Sequence, residues 1–337
     1  MDQNRDNNIV VKSIEGQKER IKWIDISKAI AIIFVIIGHT APFGSIERNM
    51  IFSFHMPLFF ILSGYNFTLP DSLMKVKERI IKNIRQLLFP LINLWILNLI
   101  FIFIKDHNFS FSVVRTNIVA LLWSSGIPFK NHPGLGMLWF LVSMFIAYLL
   151  INLFALIFKG PHLFYLYYGI SFFGIYLGIT QKWLPLNFDV TLVCTFFLIV
   201  GMMWKQYESI VKKYYWVFFF IASIFWSYCI CNKWYIELAT RSYPGIWICV
   251  AEAIFATFLI SQFSKSLESN KYVSSFLSFI GKHTLIIYGV HSLDWFFVSI
   301  WSQEHWKVAS AKRLLYVLII SLVVYYSKKV ILQYPKK

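Results

Sequence analysis

Long apolar runs, broken by short polar connectors, dominate the chain from residue 24 onward. Ten of them emerge as spans at roughly 26–44, 50–69, 87–104, 137–158, 163–180, 190–204, 215–231, 245–263, 276–297 and 314–333. Most are near the ~20 residues a helix needs to cross a bilayer, and the run at 190–204 is short. The stretch 111–125 is amphipathic and reads as a surface helix. The pattern predicts an all-α, polytopic bundle of about ten transmembrane helices. Its organisation reads as a polar segment 1–23, a membrane domain 24–333 and a short tail 334–337. No internal repeat and no soluble extra domain is apparent.

Composition agrees with the pattern. Hydrophobic residues make up 58% and charged residues 14%, with a mean hydropathy of +0.61. Soluble domains carry about 25% charge. Residues 1–23 lack the short apolar core and cleavage site of a signal peptide, so the first run is expected to stay in the membrane. The net charge of +16 does not imply nucleic acid, because the basic residues cluster at the ends of apolar runs. With the N-terminus placed in the cytoplasm, inner segments hold 20 Lys and Arg and outer segments 10, an N-in, C-in topology. Cys194, Cys229, Cys231 and Cys249 lie in or beside apolar runs and read as packing residues, with no metal site expected.

Against this background, polar residues inside spans stand out, since each is costly in lipid. Lys28 and His39 are eleven residues apart, so they share one helical face about 16 Å apart along the axis. Asp25 is positioned to pair with Lys28. His55 follows across a short connection, and Pro57 should kink or open its helix. Thr284, Tyr288 and His291 share a face of the ninth span, with His291 about 22 Å along it. Three histidines thus reach a similar depth in the outer half. Glu252, within the eighth span, has two readings: structural partner of a basic group, or carboxylate that orients a histidine. Arg79, Lys82 and Arg85 line one side of a helix entering the membrane, where lipid contact and a phosphorylated ligand are both served. Trp139, behind a Gly- and Pro-rich loop, could stack on a saccharide or simply pack at the interface.

The order of these motifs resembles that of the acyltransferase-3 family of integral membrane O-acyltransferases. They run from Lys28-x10-His39 through FHMPLFFILSG (Phe54 to Gly64), the basic segment Arg79–Pro90 and LWFL (Leu138 to Leu141) to IGKHTLIIYGVH (Ile280 to His291). Within the family the chain looks most like the fucose 4-O-acetylase-like group. The resemblance implies a multi-pass protein of the bacterial inner membrane that uses cytoplasmic acyl-CoA, usually acetyl-CoA, as co-substrate, with no bound cofactor. The acceptor it implies is a hydroxyl of a cell-surface or lipid-linked saccharide, with glycan-assembly proteins as candidate partners. Lys28 stands where many members have Arg, which removes planar bidentate contacts. No fused hydrolase-like domain follows the last span, so transfer is expected from the membrane domain alone or with a separate partner.

On this reading His39 is the general base, with His55, His291 and Glu252 as further catalytic candidates. Lys28, Arg79, Lys82 and Arg85 would bind the donor, and Trp139, Tyr288 and Thr284 would line the acceptor pocket. A covalent acyl-histidine is an alternative to direct transfer. The rival reading is a saccharide transporter whose histidines relay protons.

Overall fold

The structure, a computed structural model, describes residues 20–107, 110–158 and 161–333. Most of the segment 1–23 and all of the tail 334–337 lie outside the described residues. The described chain is helical, with isolated bridges at Phe129–His132 and Glu237–Ser242. In chain order the helices are α1 (Lys22–Gly38), α2 (Ile46–Phe52), α3 (His55–Tyr65), α4 (Leu73–Asn83), α5 (Phe89–Asp106) and α6 (Phe111–Trp123). Then come α7 (Trp139–Phe154), α8 (Pro161–Ile179), α9 (Phe188–Gln206), α10 (Glu208–Lys213) and α11 (Tyr215–Cys231). The last four are α12 (Trp247–Leu267), α13 (Lys271–Lys282), α14 (Thr284–Leu293) and α15 (Trp306–Gln333).

Among the described residues, 6 helices are long and apolar enough to cross a membrane, and 7 if the pair α13–α14, bent by 62°, counts as one span. The other three predicted spans are shorter. Helices α1 and α11 have 17 residues each, and the second span is divided into α2 and α3, of 7 and 11 residues. The division falls at Ser53 and Phe54, ahead of Pro57 rather than at it. Pro57 is the third residue of α3, in a first turn whose N–H groups have no helical partner to lose. The break is held from outside: Trp226 Nε1 donates to Ser53 Oγ at 2.9 Å, and Phe54 meets the Trp226 ring edge-on.

Helix α9 runs through the middle of the bundle, with a nearly continuous buried stretch from Asp189 to Ile199. It crosses α3 at backbone contact. A Cβ on Gly201 would lie 1.8 Å from Ile61 O, and one on Gly64 1.9 Å from Leu198 O. Small residues let helix backbones approach this closely in lipid, where apolar burial alone does not drive association. Two hydroxyls on this helix are satisfied locally: Thr191 and Thr195 each donate to a carbonyl one turn back.

A buried polar clamp ties three connections together. Arg241 Nε donates to Asp189 Oδ2 at 3.0 Å, and its other nitrogens reach Ser125 Oγ at 2.7 Å and Asn187 Oδ1 at 2.5 Å. The guanidinium also lies over Trp183. This fixes the loops at 124–138 and 232–246 against the start of α9. Arg241→Ala would strand the buried Asp189 carboxylate, and a loss of about 3–5 kcal/mol of stability is expected. Thermal unfolding of the detergent-solubilised protein would measure it.

Candidate active site

Helix α1 carries the two residues on which the site is built. Lys28 lies toward its start and His39 immediately follows its last residue, Gly38. Arg48 of α2 reaches back to hold that end. Its Nη1 donates to Gly38 O at 2.8 Å, a cation on the carbonyl end of a helix, and its Nη2 pairs with Glu237 at 3.2 Å. The guanidinium is stacked against Phe52 and Phe43. His39 is thereby fixed by backbone while its side chain stays exposed to a cavity.

The other two predicted histidines are brought to the same end of the bundle. His55 is buried, and its Nδ1 donates to Ile51 O at 2.9 Å, which leaves Nε2 as the acceptor nitrogen. Phe52 packs against both His39 and His55 and separates them. The immediate neighbour of His39 is His291, with ring centroids 5.4 Å apart. His291 Nδ1 lies 2.7 Å from Asp294 Oδ2, and Arg313 grips the same carboxylate through Nε at 2.7 Å and Nη2 at 2.6 Å. The carboxylate that orients a histidine is therefore Asp294. Glu252 is fully buried, neither of its oxygens has a hydrogen-bond partner, and it lines neither cavity described below.

Two cavities occupy opposite ends of α1. The one beside His39 has a volume of about 600 Å³ and is lined by His39, His55, Arg48, Glu237, Trp139 and Trp295, with backbone of the loop at 134–138. Burial pushes the Glu237 carboxyl above the ordinary carboxylate range, and Arg48 offsets this only in part. The lining mixes aromatic faces, amides and charged groups, a surface suited to a polyhydroxylated ligand.

The second cavity, about 950 Å³, is lined by Arg20, Lys28, Arg79, Lys82, Arg85, Lys282 and Lys328, and among the described residues by no acidic one. All four predicted donor-binding residues are among them. Among the described residues Lys28 and Asp25 make no direct ion pair, but the Asp25 charge lies close enough to favour the Lys28 ammonium. The Asp25 backbone packs against Gly281 of α13, where a Cβ would lie 1.8 Å from the Asp25 carbonyl oxygen. A π-helical turn, Ile84–Leu88, joins α4 to α5, and its extra residue turns Arg85, Gln86 and Leu87 into this cavity. Arg79 also secures the preceding loop, donating to the carbonyl and hydroxyl oxygens of Thr68.

Thr284 and Tyr288, predicted beside the acceptor, line this cationic cavity, whereas Trp139 lines that of His39. The two spaces adjoin. Met56 borders both, and Tyr288 Oη donates to the carbonyl of Met137, which faces the His39 side. Among the described residues, no group of three or more His, Cys, Asp and Glu side chains is arranged to hold a metal ion.

A helical bundle with a large basic cavity at one end and paired histidines at the other fits group transfer. The decisive comparison is with protein families: the acyltransferase-3 model, an acyltransferase domain, matches residues 21–327. The chain belongs to the acyltransferase-3 family. Comparison with curated proteins and with solved structures returned no match. In this acyltransferase, sequence reasoning missed Arg48, Glu237, Asp294 and Arg313. Arg48 and Glu237 meet across 189 positions of chain, which no local spacing reveals. Asp294 carried a readable signal, a carboxylate three residues after His291 and within the ninth apolar run.

Proposed function

We propose that this acyltransferase moves an acyl group, acetyl in the simplest case, from cytoplasmic acyl-CoA to a hydroxyl of a cell-surface or lipid-linked saccharide. One observation carries the reading: among the described residues, seven cations without a single acid line the cavity at the Lys28 end of α1, and His39 opens to a separate cavity at the other end. Acyl-CoA brings several phosphates and a long flexible arm that ends in the thioester. Cationic side chains would hold the phosphates with charge-assisted hydrogen bonds. The arm would reach past Met56 and Tyr288 toward His39. There His39 takes the proton of the acceptor hydroxyl as its oxygen attacks the thioester carbonyl. Arg48 stands where an oxyanion can be met.

The excess of Lys and Arg on segments at the Lys28 side supports placing that end in the cytoplasm, where acyl-CoA is found. The acceptor then enters from the opposite face of the inner membrane, among lipids and alongside glycan-assembly proteins.

The test uses full-length protein in nanodiscs with acetyl-CoA labelled in the acetyl group and host membranes as acceptor source. Release of free CoA thiol together with label in the saccharide fraction is expected; thiol release without transferred label, or neither, would sink the reading. The donor site is checked separately. Lys82→Gln with Arg85→Gln should weaken acetyl-CoA binding by roughly tenfold per cation removed. Calorimetric titration would show it, and the wild-type affinity should fall faster with added salt than that of the double variant.

A further inference from the structure

Resting on the acyl-transfer reading, we propose that Asp294, gripped by Arg313, is a positioning residue that acts through His291 on His39. The three side chains form a carboxylate–imidazole–imidazole relay of which only His39 meets substrate.

Asp294 opens a 3-10 segment directly after α14, and Arg313 comes from α15. Asp294, Arg313 and His291 are all buried. A carboxylate can only accept, so the 2.7 Å contact puts the proton on His291 Nδ1 and leaves a lone pair on Nε2. That Nε2 is buried and has no hydrogen-bond partner among the described residues. Buried ring nitrogens are seldom left so, because the lost hydration is not recovered. The ring next to it is His39, at 5.4 Å between centroids. An end-to-end N–H···N contact of ~3 Å sets imidazole centroids about 5 Å apart, so a small rotation of either ring closes the bond.

The surroundings favour this direction of relay. His39 is faced by Arg48 from α2, His55 from α3, His291 from α14 and Arg313 from α15. None of these is a carboxylate, and Glu237 is engaged by Arg48. Asp294 is thus the counter-charge available to an imidazolium at His39, through His291. As the acceptor oxygen bonds to the thioester carbon, its proton moves to the cavity-facing nitrogen of His39. The other nitrogen of His39 donates to His291 Nε2. When the C–S bond breaks, His39 returns the proton to the departing sulfur, and the relay is restored without net change.

Two variants test this in nanodiscs. Asp294→Asn with Arg313→Gln removes both charges together, so neither is left buried alone. His291→Gln leaves the Asp294–Arg313 pair intact and serves if the double variant does not fold. Each folded variant should lose about 100-fold or more in kcat for acetyl transfer, with KM for acetyl-CoA within about threefold. Asp294→Glu should retain at least tenfold more activity than the double variant. A second readout does not depend on transfer: the rate at which diethyl pyrocarbonate modifies His39, located by mass spectrometry, should fall several-fold in both variants. Unchanged kcat and unchanged His39 reactivity in a folded variant would overturn the relay while leaving the acyltransferase reading intact. Absence of acetyl transfer by wild-type protein would overturn that reading, and the His39 modification rate would still decide the relay.

Discussion

His39→Ala is expected to reduce acetyl transfer by about 10²–10⁴-fold, the range that a positioned general base contributes. His39 is the exposed histidine of the cluster, whereas His55 and His291 are buried and already engaged through Nδ1. Neither can take over its role without moving a helix. Its backbone is held by Arg48 on Gly38 O, so removal of the imidazole leaves the end of α1 in place. Lys28, the cation that α1 contributes to the other cavity, lies eleven residues away along the same helix. Acetyl-CoA affinity should therefore be retained within about twofold while turnover collapses. Parallel measurement of binding and of label transfer checks both halves. Near wild-type turnover in the variant would remove His39 from the mechanism.

The second large effect concerns assembly. Gly201→Leu should prevent recovery of folded protein, with aggregation on fluorescence-detected size-exclusion in place of a single peak. The atom that a side chain at this position would strike is Ile61 O, part of the α3 backbone, at 1.8 Å from an ideal Cβ. A flexible side chain could swing away, but a helix backbone can yield only if α3 and α9 separate. Overpacking usually costs about 1–3 kcal/mol, and contact with backbone exceeds that range because no rotamer relieves it. Gly64 makes the reciprocal contact with Leu198 O, so separating the helices there forfeits both approaches at once. A monodisperse Gly201→Leu protein with wild-type thermal stability would contradict this account of the crossing.

Much of this architecture is legible in the order of residues. Apolar length marks the helices that span unaided, and the Lys28–His39 spacing places a cation and an imidazole at two ends of one face. Arg79, Lys82 and Arg85 read as a basic side of a helix, and they do converge on one cavity with Lys28. What escapes is whatever long-range packing decides. The break at Ser53 depends on Trp226, 173 positions later, so Pro57 draws attention to the wrong turn. Thr284 and Tyr288 share a helical face with His291, which by spacing alone suggests one pocket for all three. The helix is long enough to carry one end to the cationic cavity and the other to the histidines. Glu252 and Asp294 are both carboxylates in apolar runs, and only tertiary placement tells which meets a histidine.

The thin layer formed by Met56, Phe140 and Tyr288 bears on the membrane as much as on the reaction. Water-filled spaces entering a bundle from both ends, one of them rich in fixed charge, would together make an ion leak if they joined. Each elementary charge crossing 100 mV gives up about 2.3 kcal/mol, so even a slow leak would drain the cell's stored potential. The Tyr288 hydroxyl on the Met137 carbonyl, with Phe140 packed beside it, stands between the two spaces and would keep them electrically apart. On the proposed reading, a narrow acyl arm would slip through such a septum and seal it while it is there. The protein would then pass a chemical group across the bilayer without becoming a channel.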